Sequence, residues 1–279
     1  MTIVASLPRI PPELYRPILE YISDKSTLQS FCLSSKTVQL DAERLLYSSI
    51  AEDRTSANVL FLKTITFNKR LAAMVKEYRS WFIVRDKESS VWRLLESGLH
   101  NMVNLKVLDF VSMGGNPCAE LILHAPFRLE KLIWRCRSDE DVLEEVLVEQ
   151  QNLKVLYLPE YRASVGRYVR AEACPILHTL AGSSFAVAAI LPGRRVKEIG
   201  WEQRRDMFPV DGFLAQDRSK GFSSLKLLSF GPCYTRPSLR DIGAQNLKEL
   251  EVLQLFGWYP EVMFHAFIHL AYYAYTTSS

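Results

Sequence analysis

Paired cysteines are missing from this sequence. The five present, Cys32, Cys118, Cys136, Cys174 and Cys233, are odd in number and widely spaced, with no Cys-x-x-Cys pair and no zinc-type spacing. That excludes a disulfide-built scaffold and points to free thiols in a reducing compartment. Long apolar runs are missing too. No stretch approaches the roughly twenty residues needed to span a bilayer. The opening MTIVASLPRIPPEL has no basic region followed by an apolar run, so no signal peptide is expected. Strong charge of one sign is also absent. A net charge of +3 over 279 residues predicts neither a nucleic-acid nor an anionic-membrane partner. With 48% hydrophobic and 23% charged residues, the composition is that of an ordinary globular protein. The expected residence is intracellular, cytoplasmic or nuclear.

Motifs that carry chemistry are lacking as well. There is no G-x-G-x-x-G, no G-x-x-x-x-G-K-[ST] and no G-x-S-x-G. His265 and His269 stand at i and i+4, as metal ligands on one helix face would, but the glutamate of H-E-x-x-H and a third ligand are wanting. Cys174 has no evident base to lower its pKa. Arg194, Arg195, Arg204 and Arg205 alternate with Glu198, Glu202 and Asp206, which reads as a solvated face. The expectation is a binding protein that is not an enzyme and uses no cofactor or metal.

What is present begins with the stretch Ile10 to Val38. Leu14, Ile18, Leu19 and Ile22 fall at helical spacing, and Leu28, Phe31, Cys32 and Leu33 repeat the pattern after a polar break. Ser26 or Thr27 suits a cap for the second helix. Pro11 and Pro12 suit the entry to the first, and Pro17 marks either its first turn or a kink. A basic turn at Lys36 follows. Two such helices are too small to be stable alone, so they need the rest of the chain or a partner.

The run I-P-P-E-L-x-x-x-I-L-x-Y-I … T-L-x-x-F-C-L-S-S-K resembles an F-box, the helical motif that docks on the Skp adaptor of cullin–RING ubiquitin ligases. Ile10-Pro11 stands where the family has Leu-Pro, Glu13-Leu14 and Ile18 follow at its spacing, and Leu33-Ser34-Ser35-Lys36 is similar to its Leu-Val-Ser-Lys. Ala42 to Ile50 (AERLLYSSI) resembles the segment after the motif in fungal members. Ser34 replaces an apolar residue and Val38 stands where an aromatic is common. The resemblance implies an adaptor-binding set of Pro11, Leu14, Ile18, Leu19, Ile22, Leu28, Phe31 and Leu33, with a cullin reached through the adaptor.

Residues 51 to 80 read as helical, with Asn58 and Asn68 as caps. Trp81 to Val84 reads as a short strand and Val91 to His100 as a helix. This predicts a helical linker or cap over 51–100, between an F-box-like motif over 1–50 and a third unit over 101–279. In that unit a pattern L-x-x-L-x-apolar recurs. It appears at Leu105/Leu108/Phe110, Leu129/Leu132/Trp134, Leu153/Leu156/Leu158, Leu177/Leu180, Val196/Ile199/Trp201, Leu225/Leu228/Phe230 and Leu250/Leu253/Leu255. Successive starts differ by 24, 24, 24, 19, 29 and 25 residues. Glu140 to Gln150 reads as an amphipathic helix, Cys174-Pro175 as the end of a helix, and VMFHAFIHLAYYAY as a C-terminal capping helix.

Period and pattern resemble leucine-rich repeats. The implied fold class is α/β: an N-terminal helical F-box, then an irregular leucine-rich-repeat solenoid with parallel strands and helices on the convex side. Alternation then turns Val107, Asp109, Lys131, Ile133, Arg135, Val155, Tyr157, Glu198, Glu202, Leu227, Ser229, Gln254 and Phe256 to the other face. Of these, Asp109, Lys131, Ile133, Arg135, Tyr157, Glu198, Glu202 and Gln254 are the candidate contacts for a target protein. Arg135 and Tyr157 are of types that dominate interface energetics. The implied function is that of a substrate receptor in an SCF-type ubiquitin ligase. The alternative is a non-ligase repeat scaffold whose N-terminal helices only cap the solenoid.

Overall fold

The computed structural model describes residues 10–52, 54–82, 89–112, 117–137, 139–162, 168–202, 222–230 and 247–255. The predicted C-terminal capping helix, with His265 and His269, lies outside them, as do Phe256, Cys233, Arg204, Arg205 and Asp206.

The chain is α/β. Its described residues form one sheet of nine parallel strands in strictly sequential order. These are β1 (Ser49–Glu52), β2 (Glu77–Phe82), β3 (Val107–Ser112), β4 (Lys131–Arg135), β5 (Val155–Leu158), β6 (Thr179–Ser183), β7 (Glu198–Glu202), β8 (Leu227–Phe230) and β9 (Val252–Leu255). All seven repeat units land in strands, β3 to β9. Leu108, Leu132, Leu156, Leu180, Ile199, Leu228 and Leu253 are register partners along one row. The uneven spacings 19 and 29 are therefore absorbed between strands and leave the pairing intact.

Alternation within each strand sends one set of side chains into the core and the other to the opposite face. Leu132 and Trp134 of β4 and Leu156 and Leu158 of β5 are buried, while Lys131 is exposed and Ile133, Arg135, Val155 and Tyr157 are half-buried. Helices cover the buried side: α4 (Thr55–Phe67), α6 (Ser90–Asn101), α7 (Glu140–Glu149), α8 (Ser184–Ile190) and a 3-10 turn at Ala119–Ile122 share its core. The first leucine of each unit closes the layer, with Leu105, Leu129, Leu153 and Leu177 all buried. In the fourth unit Gly182 takes the third apolar place. Its φ is +146°, and a Cβ there would stand 2.4 Å from the Leu158 carbonyl oxygen, so only glycine fits.

The helical reading of 51–80 is corrected. β1 and β2 extend the sheet by two units ahead of the recognisable repeats, so helices and sheet are not divided at residue 100. The same layering holds there, with Val75, Tyr78 and Ser80 buried where the other units have L-x-x-L-x-apolar. Asn58 does not cap α4 but lies buried within it. Asn68 does cap the short α5 (Lys69–Ala72), accepting from the Leu71 N–H. Val91 to His100 falls inside α6 and Glu140 to Gln150 matches α7 to within one residue. No helix precedes Cys174-Pro175 among the described residues 168–178.

At the N-terminus a 3-10 turn (Pro12–Leu14) leads into α1 (Tyr15–Glu20). Pro17 is its third residue, where a missing N–H breaks no helical bond. Asp24, rather than Ser26 or Thr27, caps α2 (Lys25–Ser34), its carboxylate accepting from the Thr27 N–H at 2.8 Å. The predicted basic turn at Lys36 is instead the start of a third helix, α3 (Lys36–Ser48), capped by Ser35. Leu19, Leu28, Val38 and Ala42 close a small core of their own, separate from that of the sheet. α3 runs straight into β1. It is tied to the first unit by an Arg70–Glu43 ion pair at 2.6 Å and by Tyr47 stacked on Phe61.

Candidate functional site

Two surfaces stand out, one on the helices and one on the sheet. On the helices, the predicted adaptor-binding residues divide by burial. Leu19 and Leu28 are interior to the small core, and Ile22 and Phe31 pack against it half-buried. Pro11 is exposed, and Leu14, Ile18 and Leu33 are 50%, 46% and 90% exposed. Tyr21, which the sequence reading passed over, is 92% exposed. Leu14, Ile18 and Tyr21 stand at i, i+4 and i+7 and so form one stripe. α1 thus turns Leu19 inward and keeps an apolar stripe outside.

On the sheet, the face opposite the helices has a focus over β2 to β5. Asp109 sits at its centre, with its side chain only 6% exposed. Its carboxylate forms an ion pair with Arg79 Nε at 3.0 Å on one neighbouring strand and accepts from Arg135 Nη1 at 2.9 Å on the other. The guanidinium of Arg135 also lies 5.6 Å from the ring centroid of Tyr157, a cation–π contact. Trp81, half exposed, pairs in register with Val111, which pairs with Arg135. Ile133 fills the place between Asp109 and Tyr157.

The structure therefore brings Asp109, Ile133, Arg135 and Tyr157 together, with Lys131 exposed at the start of β4. The other predicted contacts lie apart. Glu198, on β7, accepts from Thr179 Oγ1 at 2.9 Å, Glu202 ends the same strand, and Gln254 is exposed on β9. At about 4.8 Å per strand, β9 is roughly 19 Å from β5. Arg79 and Trp81 belong to the focus but were not among the predicted contacts, because the strand expected at Trp81 to Val84 begins earlier, at Glu77. The signal was the alternation Tyr78-Arg79-Ser80-Trp81, hidden because serine holds a core position.

Arg194 is not on a solvated face. It is buried, and its guanidinium donates to the carbonyls of Ala173 (2.9 Å), Arg170 (2.5 Å), Pro192 (3.3 Å) and Ile190. Cys174 is buried beside it with its thiol bonded to the Leu147 carbonyl, and burial pushes that thiol up to about 12. A thiol so placed yields no thiolate near neutrality. Among the described residues no three His, Cys, Asp or Glu side chains are grouped to hold a metal. No helix among them is long and apolar enough to cross a membrane. Both surfaces are suited to contact and neither holds a nucleophile with its base. Compared with known proteins, the chain matches no protein-family model and no curated protein sequence.

Proposed function

We propose that the chain is the substrate-recognition subunit of an SCF-type cullin–RING ubiquitin ligase. In this reading residues 10–50 act as an F-box, and the strand array is an irregular leucine-rich-repeat solenoid with its helices on the convex side. The N-terminal helices bind the Skp adaptor, and through it a cullin. The open face of the sheet holds the target protein near a ubiquitin-charged enzyme. The catalytic gain is proximity, supplied by geometry.

The observation that carries this reading is the stripe Leu14, Ile18 and Tyr21, with Leu33, left exposed on a module that already has its own core. Exposed apolar side chains grouped in this way mark a partner surface. The alternative, a non-ligase scaffold with capping helices, is favoured only by α3, which packs on the first unit through Glu43 and Tyr47. Capping by α3 leaves the exposed residues of α1 and α2 without a role.

A pull-down with purified Skp adaptor tests the proposal. Leu14→Asp with Ile18→Asp is expected to reduce adaptor recovery at least tenfold. Both positions are half exposed, so the circular dichroism spectrum and Tm should hardly change. Equal recovery by the wild type and the double variant would sink the reading.

A further inference from the structure

Over β2 to β5 the open face is built from types that dominate protein interfaces, tryptophan, tyrosine and arginine. Its two arginines are held on one carboxylate. Asp109 offsets one guanidinium charge and leaves the other, while Arg79 keeps 64% of its side chain in solvent and Arg135 keeps 38%. Val111 stands beside Trp81 and Ile133 beside Tyr157, two apolar places on a diagonal crossed by the Asp109–Arg135 pair. Lysine directly precedes β2, β3, β5, β7 and β8 and glutamate β4 and β9, with Glu130 bridging Lys106 and Lys154 and Glu251 pairing Lys226, so that the charges of this rim largely offset one another and the uncompensated charge lies at the arginines.

We propose that this face binds an acidic segment of the target protein, its carboxylates received by Arg79 and Arg135 and a neighbouring apolar side chain set against Ile133 and Tyr157. This rests on the reading that the open face is where the target is held. The chemistry favours a peptide over a nucleic acid. Carboxylates match the forked guanidinium donors, and the two aromatics are held apart by Val111, Ile133 and the Asp109–Arg135 pair, which offers a seat for a side chain rather than a continuous stacking surface for successive bases. Asp109 orients both guanidiniums in advance, which lowers the ordering cost of binding.

The test uses the full chain and three fluorescein-labelled nine-residue peptides, Gly-Ser-X-X-Leu-X-X-Gly-Ser with X as Glu, Gln or Lys, together with a labelled single-stranded oligonucleotide. Fluorescence anisotropy is read at low and moderate salt. The Glu peptide is expected to bind at least tenfold more tightly than the Gln and Lys peptides and to weaken as salt rises. Arg79→Ala with Arg135→Ala should abolish that preference, while Arg79→Lys with Arg135→Lys should recover part of it at an unchanged Tm. If all three peptides bind alike and lose binding with Trp81→Ala and Tyr157→Ala, the acidic preference falls while the target-binding face stands. If no peptide binds, the face itself falls. Tighter, arginine-dependent binding of the oligonucleotide than of the Glu peptide would also overturn the proposal.

Discussion

Asp139 shows how a polar residue can be structural without any sign in the sequence. It stands just before α7, where its side chain would ordinarily cap the helix, but it does not. Its carboxylate reaches the preceding unit instead, accepting from the backbone N–H groups of Cys118 and Ala119 and from the Trp134 indole N–H at 2.9 Å. Burial pushes its pKa up to about 6 against the pull of these donors. A carboxyl raised in the folded state favours folding while protonated. Its contribution is complete below the unfolded value near 4 and is lost as pH climbs through about 6. The exposed Asp24 and the half-buried Glu130 behave oppositely. Hydrogen bonds from Ser26 and Thr27, and from Lys106 and Lys154, hold them down to about 2, so their contributions fade only below about pH 4. Between pH 4 and 7, chemical denaturation should therefore find the wild type losing up to roughly 3 kcal/mol relative to Asp139→Asn. At neutral pH the variant should itself be destabilised, because its amide N–H₂ would face the Trp134 N–H. A flat difference across that range would contradict the assignment. Arg194 has the same character: its charge suggested solvent, and only the fold brings carbonyls from two successive loops around it.

At the scale of elements, legibility followed how apolar the core positions were. Units β3 to β9 were readable because leucine, isoleucine, valine or tryptophan fills nearly every inward place. β2 was readable only at its end, from Trp81, because the inward residues before that are Tyr78 and Ser80, and α4 contributes Asn58. These three form one buried network. Asn58 Nδ2 donates to Ser80 Oγ at 2.6 Å, and the Tyr78 hydroxyl donates to Asn58 Oδ1 at 2.7 Å. Polar letters at inward positions disguise a strand of ordinary pairing, and β1, four residues long, is too short to reveal its period. The network also predicts an asymmetry. Asn58→Leu alone leaves two buried hydroxyls without their partner and should cost about 2 kcal/mol in urea unfolding. Adding Tyr78→Phe and Ser80→Ala removes those hydroxyls and should recover most of the loss. A triple variant less stable than the single one would show that the network adds more than mutual satisfaction. The N-terminal helices were legible as amphipathic, and α3 was missed because Lys36 looked like a turn, whereas Ser35 caps the helix that Lys36 begins.

For the whole molecule, the decisive feature is that the two cores do not merge. Leu19, Leu28, Val38 and Ala42 form one, and the inward rows of the sheet with their helices form the other. Among the described residues, α3 and its continuation into β1 join them. Filling a core of four buried residues is a small driving force for ordering some forty, so the helical module depends on its attachment through α3. Truncating a fully buried leucine costs roughly 2–5 kcal/mol in either place, but the consequences should differ in extent. Leu28→Ala should open α1 and α2 locally, with faster amide hydrogen exchange there and unchanged protection in β3 to β6. Leu132→Ala lies in the middle of nine hydrogen-bonded strands, where each unit depends on its neighbours. It should lower protection along the sheet on both sides while α1 and α2 exchange as before. Because the helical stripe and the arginine focus lie on opposite sides of that division, Leu28→Ala should reduce adaptor recovery and leave binding of the acidic peptide unchanged. Loss of both by Leu28→Ala would mean that the helices and the sheet fold as a single cooperative unit.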